Sequence, residues 1–239
     1  MWSVQGIIDD LESRRIVLRV HDHTSLSRYE AEEGFIAEQD RFDNLSKTQF
    51  HKRYGHLRYD YEWKRSSSIC EYMVDHIFGG WDDWSLFGRD GPSPWISTTI
   101  DFDWAIYEIA RRLTVLNRGS VRLSVIDLQN SKRRRVGVRP DSYIPEDTYD
   151  ESTALSFARA SSEILFYGKI FDEDIPAIMV WTRQKPARRL PPEYKMSKKQ
   201  RDPHGDWIDN LCFNPRRDSF RQASARISAR RDQIASSRC

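Results

Sequence analysis

The chain has 239 residues and a net charge of +2, from 38 Lys+Arg against 36 Asp+Glu. This length suits one domain, or one domain with an extension, because domains run to roughly 100–200 residues. A hydrophobic content of 38% is enough for a core, but no stretch approaches the roughly 18 apolar residues of a membrane-spanning helix. Three cysteines without short metal spacing argue against a disulfide scaffold and a zinc site. The first ten residues do not resemble a secretory signal, so we expect an intracellular protein, cytoplasmic or nuclear, with secretion without a recognisable signal as the alternative.

Hydrophobic periodicity predicts an α+β chain. Strands are predicted where apolar and β-branched residues run together or alternate, and helices where apolar residues recur at helical spacing after a polar cap. In chain order the predicted elements are a strand over 15–21, a helix over 68–77, a strand over 95–100, a helix beginning at Asp101 or Asp103, a strand over 121–126, a loop over 137–152, a short helix over 153–160, and strands over 163–168 and 175–181. This order lacks βαβ alternation and the Gly-rich loops of Rossmann and kinase-like proteins.

The charge is divided unevenly along the chain. Residues 1–182 carry 23 basic and 30 acidic residues, for a net of −7, whereas residues 183–239 carry 15 basic and 6 acidic, for a net of +9. We therefore predict a globular domain over 1–182 and a basic C-terminal extension over 183–239. An amphipathic basic helix is predicted from Asp218 onward, and its arginines suit nucleic acid, an acidic membrane surface or an acidic protein partner. The alternatives are a disordered extension and a helix that packs on the acidic domain.

Three polar features stand on predicted strands, where apolar residues are more usual. Arg19 interrupts the first strand, and alternation places it with Val17 and His21 on one face. The run 97–99, Ser-Thr-Thr, follows Trp95, and Glu163 begins a later apolar strand. Each also has a simpler explanation: an edge-strand arginine in solvent, a helix-entry segment, and a surface carboxylate at the end of a strand.

Taken in order, these features resemble the ADP-ribosyltransferase fold, in its arginine–serine–glutamate branch. They are also similar to an uncharacterised domain common in fungal proteins. The resemblance would cover residues 14–182 and implies two roughly perpendicular antiparallel sheets, with NAD in the cleft between them. The residues that carry it are Arg19, Gly34-Phe35, Trp95-Ile96-Ser97-Thr98-Thr99 with the helix that follows, Glu163-Ile164-Leu165-Phe166, Gly168, Ile170 and Asp174-Ile175.

The resemblance implies a catalytic set of Glu163, Arg19 and Ser97. By position, Arg19 would pair with the diphosphate or the adjoining ribose, Ser97 would orient the acid, and Glu163 would stabilise the oxocarbenium-like charge as nicotinamide leaves. The protein would bind NAD and either transfer ADP-ribose to an unknown protein or nucleic-acid acceptor or hydrolyse NAD. The cofactor-binding residues would be Arg19, His21, Ser97, Thr98, Thr99 and Trp95.

Other assignments remain open at the site. Ser161 stands where arginine-modifying members carry Glu or Gln, which favours another acceptor or hydrolysis. The histidine branch, with His21 or His23 in place of Arg19, lacks its usual His-Gly-Ser/Thr signature. A metal site at residues 21–23 has no fourth ligand nearby, so none is predicted. A Cys70–His76 nucleophile pair competes with a structural role on an apolar helical stripe.

Two features bear on the function as a whole. The aromatic segment 78–95 is either a packed loop or a lid over the cleft. The alternative functions are a catalytically silent interaction module of the same fold, which uses its basic tail for partner binding, and an unrelated α+β binding protein.

Overall fold

The described residues form an α+β fold with two antiparallel sheets, of five and three strands. The computed structural model describes residues 2–37, 73–74, 76–77, 93, 95–129, 137–142, 144, 146, 149–197 and 200–237. The helices that lie wholly within them are α1 (Val4–Glu12), α2 (Phe102–Thr114), α3 (Tyr149–Ala160) and α4 (Phe220–Ser236). The strands are β1 (Ile16–His21), β2 (Tyr29–Glu30), β3 (Gly34–Ile36), β4 (Trp95–Thr99), β5 (Val121–Asp127), β6 (Glu163–Tyr167), β7 (Lys169–Ile170) and β8 (Ala177–Trp181).

The chain divides into two units, each assembled from separate segments. The first unit comprises Met1–Thr24, Thr99–Ile126 and Ala177–Cys239. The second comprises Ser25–Thr98 and Asp127–Pro176. This division follows spatial contacts, so neither unit coincides with the predicted segments 1–182 and 183–239.

In the first unit, β1 is an interior strand. It has β5 on one side and Thr99, the last residue of β4, on the other, where Thr99 pairs with Leu18. On the far side of β5 lies β8, antiparallel, with Val121 opposite Trp181. Helices α1 and α2 contact β1, and their apolar residues share a buried cluster with one face of the strand. All six residues of β1 are buried, which explains why its sequence is nearly continuously apolar.

Helix α2 shows how local sequence fixes an element. Asp101 caps it, since its side chain accepts a hydrogen bond of 3.0 Å from the Trp104 amide. Ile106, Ile109 and Leu113 recur at helical spacing and are buried. The predicted start at Asp101 or Asp103 is therefore confirmed.

The segment after residue 182 contributes side chains to the core of the first unit. Its buried members are Leu190, Tyr194, Ile208, Leu211, Phe213, Ala223 and Ile227. The predicted amphipathic helix is confirmed as α4, which begins with a capping box formed by Ser219 and Gln222. Of the alternatives weighed for this segment, packing on the domain is the one that the structure shows.

The second unit contains the three-stranded sheet β2-β3-β7, and its register depends on a glycine. Phe35 lies opposite Ile170 and Tyr29 opposite Phe35. Gly34 has φ +92°, and a Cβ at this position would lie 2.1 Å from the Ile170 carbonyl oxygen. Only glycine fits so close an approach with that backbone conformation.

The sequence predictions differ from the structure in several places, and the short strands β2, β3 and β7 have no predicted counterpart. The predicted loop over 137–152 is wrong in part, because a 3₁₀ turn spans Pro140–Ser142 and α3 begins at Tyr149. Helix α1 was not predicted, although Ser3 caps it and its buried residues stand at helical spacing. The helix predicted over 68–77 is seen at residues 73, 74, 76 and 77, whereas its cap and nearly all of the 78–95 segment lie outside the described residues. Within the described residues, no helix has the length and apolar character to cross a membrane.

Candidate functional site

Strands β4 and β6 are neighbours in the second unit, and two contacts show how they face each other. The rings of Trp95 and Tyr167 meet edge to face, with centroids 5.1 Å apart. The Thr98 hydroxyl donates a hydrogen bond of 2.7 Å to the carbonyl oxygen of Ile164. Because successive side chains alternate between faces, the odd-numbered residues of both strands project from the face that carries the ring contact.

This alternation brings Ser97 and Glu163 together on one face of adjacent strands. Glu163 is only 3% exposed, so the alternative of a surface carboxylate is wrong. Ser97 is half-buried and lies inside β4, so the alternative of a helix-entry segment is also wrong. Ser97 and Glu163 therefore share one face of the β4–β6 pair, and the same face carries Trp95 and Leu165, which are buried in an apolar cluster of the second unit.

The turn before Glu163 is held tightly. The Ser161 hydroxyl donates to the carbonyl oxygens of Phe157, at 3.0 Å, and Ala158, at 3.1 Å, at the end of α3. Ser162 has φ +49°, a left-handed conformation common where a helix ends. Ser161, which stands two residues before Glu163, therefore caps the C-terminal end of α3 with its hydroxyl.

His76 is a neighbour of Ser97 that the sequence did not reveal. Its Nε2 lies 2.8 Å from the Ser97 Oγ, and its Nδ1 lies 2.7 Å from the Ser93 Oγ. The Trp95 amide also donates to the Ser93 Oγ, at 3.2 Å. His76 is helical and 6% exposed. The sequence signal for His76 is a polar residue on an apolar helical stripe. Cys70, which the sequence analysis paired with His76, lies outside the described residues.

Arg19 and His21 belong to the first unit, on β1. Ile16, Leu18 and Val20 belong to the apolar cluster that β1 forms with α1 and α2. Because side chains alternate along a strand, Arg19 and His21 project from the other face, as predicted. Arg19 is 6% exposed. The alternative of an edge-strand arginine facing solvent is wrong, because β1 is interior and buried on both faces.

His21 is held in its neutral form. Its Nε2 lies 2.9 Å from the Ser124 Oγ. Burial, followed by the nearby charges of Arg19, Arg122 and Arg112, lowers the pKa of His21 to about 3. It is therefore an uncharged hydrogen-bonding group at physiological pH.

The remaining candidates make contacts within their own unit. The Thr99 Oγ1 accepts a 2.8 Å hydrogen bond from the Asp101 amide. Asp22 forms an ion pair of 3.1 Å with Arg112. Burial alone would raise the pKa of Asp22, but hydrogen bonds from Thr24 and the charge of Arg112 hold it below its ordinary value. No group of three or more His, Cys, Asp or Glu residues that could hold a metal occurs within the described parts of the chain.

Comparison with protein-family models gives a match over more than half of the chain. A family model described as a domain of unknown function, DUF7587, matches residues 12–183. The match spans more than half of the chain and includes residues 14–182. The search of curated proteins finds no match.

Proposed function

The chain belongs to the DUF7587 family, a domain of unknown function. From the resemblance of its sequence to ADP-ribosyltransferases, we propose that it binds NAD as an ADP-ribosyltransferase-like enzyme. It would transfer ADP-ribose to an acceptor or hydrolyse the bond between nicotinamide and ribose. The observation that carries this proposal is the shared face of Ser97 and the buried Glu163 on strands β4 and β6. An acid and a hydroxyl are the types of group that the proposed reaction would use.

Glu163 supplies the chemistry at the ribose. In the proposed reaction the C1′–N bond breaks, nicotinamide leaves with the bonding electrons, and positive charge develops on the ribose. A carboxylate in a buried position would stabilise that charge mainly in the transition state, which would raise the rate of the step. Ser97 orients the carboxylate or the ribose hydroxyl from the same face.

By the resemblance alone, Arg19 would bind the diphosphate. A guanidinium group offers a planar fork of donors that suits two phosphate oxygens. Arg19 is buried in the middle of β1, with 6% of its surface exposed. The neighbouring His21, which is neutral, adds a hydrogen-bonding group on the same face of β1 without adding charge.

The nature of the acceptor follows in part from Ser161. The arginine-directed members of the resembling family place Glu or Gln at this position, whereas the hydroxyl here donates to the end of α3. No carboxylate or amide is present at this position to engage an arginine acceptor. We therefore favour water, or an acceptor other than arginine, as the group that attacks the C1′ carbon of the ribose.

Incubation of the full chain with NAD tests the proposal. We expect nicotinamide release, and we expect Glu163→Gln to lower its rate by at least about 100-fold, the scale for loss of an electrostatic group in a transition state. The matched control is Glu146→Gln, an exposed carboxylate of the same unit, which should retain the wild-type rate. Equal turnover in Glu163→Gln and the wild type would remove Glu163 from the mechanism.

A silent interaction module is the outcome if the wild-type chain binds NAD weakly or not at all and releases no nicotinamide. The basic helix α4 would then be the recognition element. Part of its charge is neutralised within the first unit, because Arg226 pairs with Asp218 at 3.2 Å and Arg231 with Asp103 at 3.5 Å. That pairing reduces the charge available for an acidic partner, so we place the enzyme first.

A further inference from the structure

The hydrogen-bonded chain Ser97–His76–Ser93 in the second unit has the arrangement of an activated nucleophile. Its two links measure 2.8 Å and 2.7 Å, and they use different ring nitrogens of His76. A hydroxyl within reach of a base, with that base oriented by a third group, is the general structural signature of nucleophilic catalysis. We propose that Ser97 is a reactive serine, with His76 as its general base and Ser93 as the group that orients the imidazole.

The three hydrogen-bonded residues differ in burial. Ser97 is half-buried, whereas His76 and Ser93 are buried. In the proposed arrangement an electrophile would arrive at Ser97, the least buried of the three residues, and Ser93 at the other end would hold the ring. The Trp95 amide donates to the Ser93 Oγ at 3.2 Å, which anchors that end to the backbone of β4.

The proposal requires one tautomer of His76. The Nδ1–H donates to the Ser93 Oγ, which leaves the Nε2 lone pair to accept the proton of Ser97. The Ser93 oxygen has two lone pairs, so it can accept from both the Trp95 amide and the imidazole. Ser93 thus takes the place that a carboxylate occupies in the better-known triads; being neutral, it stabilises an imidazolium less than a carboxylate does.

The class of substrate is a carboxylic ester or a similarly activated acyl group. The Ser97 Oγ forms a bond to the carbonyl carbon while its proton passes to the His76 Nε2. The bond from that carbon to the alcohol oxygen then breaks, and the alcohol takes the proton from Nε2. Water attacks the resulting acyl-serine in the same way, returns the proton to Ser97 and releases the acid, so that atoms and electrons balance.

This activity does not depend on NAD, and a phosphonofluoridate probe tests it directly. The Ser97 oxygen would attack phosphorus, fluoride would leave, and mass spectrometry would locate the adduct. We expect labelling of the native full chain at Ser97 and its loss in Ser97→Ala. We expect His76→Gln to slow labelling by at least about 100-fold, the scale of general-base catalysis. The matched controls Ser142→Ala and His204→Gln alter exposed residues and should label at the wild-type rate.

The outcomes divide cleanly. Absence of labelling in the native chain, labelling only at other serines, or an unchanged rate in a folded His76→Gln variant would overturn the proposal. Should His76→Gln fail to fold, Ser93→Ala provides the second test, with a smaller decrease expected. Labelling of Ser97 without nicotinamide release would reject the proposed NAD chemistry and leave the reactive serine standing, whereas the converse result would reject only the serine.

Discussion

At the scale of residues, the most unusual feature of this protein is a set of buried polar side chains. Arg19, His21, His76 and Glu163 are each nearly inaccessible to solvent, and a buried polar group costs free energy unless it is hydrogen-bonded or paired. Such groups make stability depend on pH and mark the places where function is found. His21 gives the clearest test of that dependence.

We predict that His21 makes the protein less stable in acid. The unfolded chain takes up a proton near the ordinary pKa of 6.5, whereas burial holds the folded pKa at about 3. The stabilisation is therefore complete above the unfolded pKa and is lost as the pH falls towards the folded value, by about 2 kcal/mol between pH 7 and pH 5.

Urea unfolding at both pH values measures this loss. His21→Gln keeps a side-chain group near the Ser124 hydroxyl but cannot titrate, so the difference between the two pH values should shrink by that amount. An identical pH dependence in the variant would show that other groups govern the acid response.

At the scale of elements, helix α4 packs into the core of the first unit through one narrow apolar face. Helix α4 is rich in arginine and buries few side chains, chiefly Ala223 and Ile227. Most helical stability in proteins comes from packing of one face. The few buried side chains of α4 therefore decide whether this helix stays packed against the rest of the first unit.

We predict that Ile227→Ala lowers the free energy of unfolding by about 2–4 kcal/mol, because it removes a fully buried side chain from the core. Ile234→Ala is the matched control on the same helix, where the isoleucine is only half-buried and the expected loss is smaller. Chemical denaturation of both variants makes the comparison, and equal losses would mean that the buried contact of Ile227 does not hold the helix.

At the scale of the whole molecule, the first unit is built from both ends of the chain. Its core joins residues 4–20, the segment 102–125 and the segment 179–227. The family match ends at residue 183, so the later core residues are contributed by sequence outside the matched domain.

We predict that a fragment of residues 1–182 loses cooperative unfolding of the first unit, or unfolds at much lower urea than the full chain. Seven buried side chains would be missing from its core, at about 1.5–3 kcal/mol for each large one, which is comparable to the 5–15 kcal/mol that stabilises a typical domain. The fragment and full chain should be compared by circular dichroism during urea titration. An unchanged midpoint would show that the segment packs without stabilising.

Local sequence determined most of the longer elements and the two faces of strand β1. The period of alternation placed Arg19 and His21 opposite the apolar residues of β1, and the Asp101 cap placed the start of α2, because both depend on backbone geometry within a few residues. The +9 charge of residues 183–239 was likewise visible, but their few apolar residues did not reveal where they would pack.

Tertiary structure alone decided the rest. Only strand pairing put Ser97 and Glu163 on a shared face, and only folding brought His76 to Ser97, 21 residues along the chain. Burial of Glu163 and the neutral state of His21 also depend on surrounding residues that are distant in sequence. Periodicity is a local property of the backbone, whereas solvation and hydrogen-bond partners are set by which segments meet, and those meetings determine the chemistry proposed for this protein.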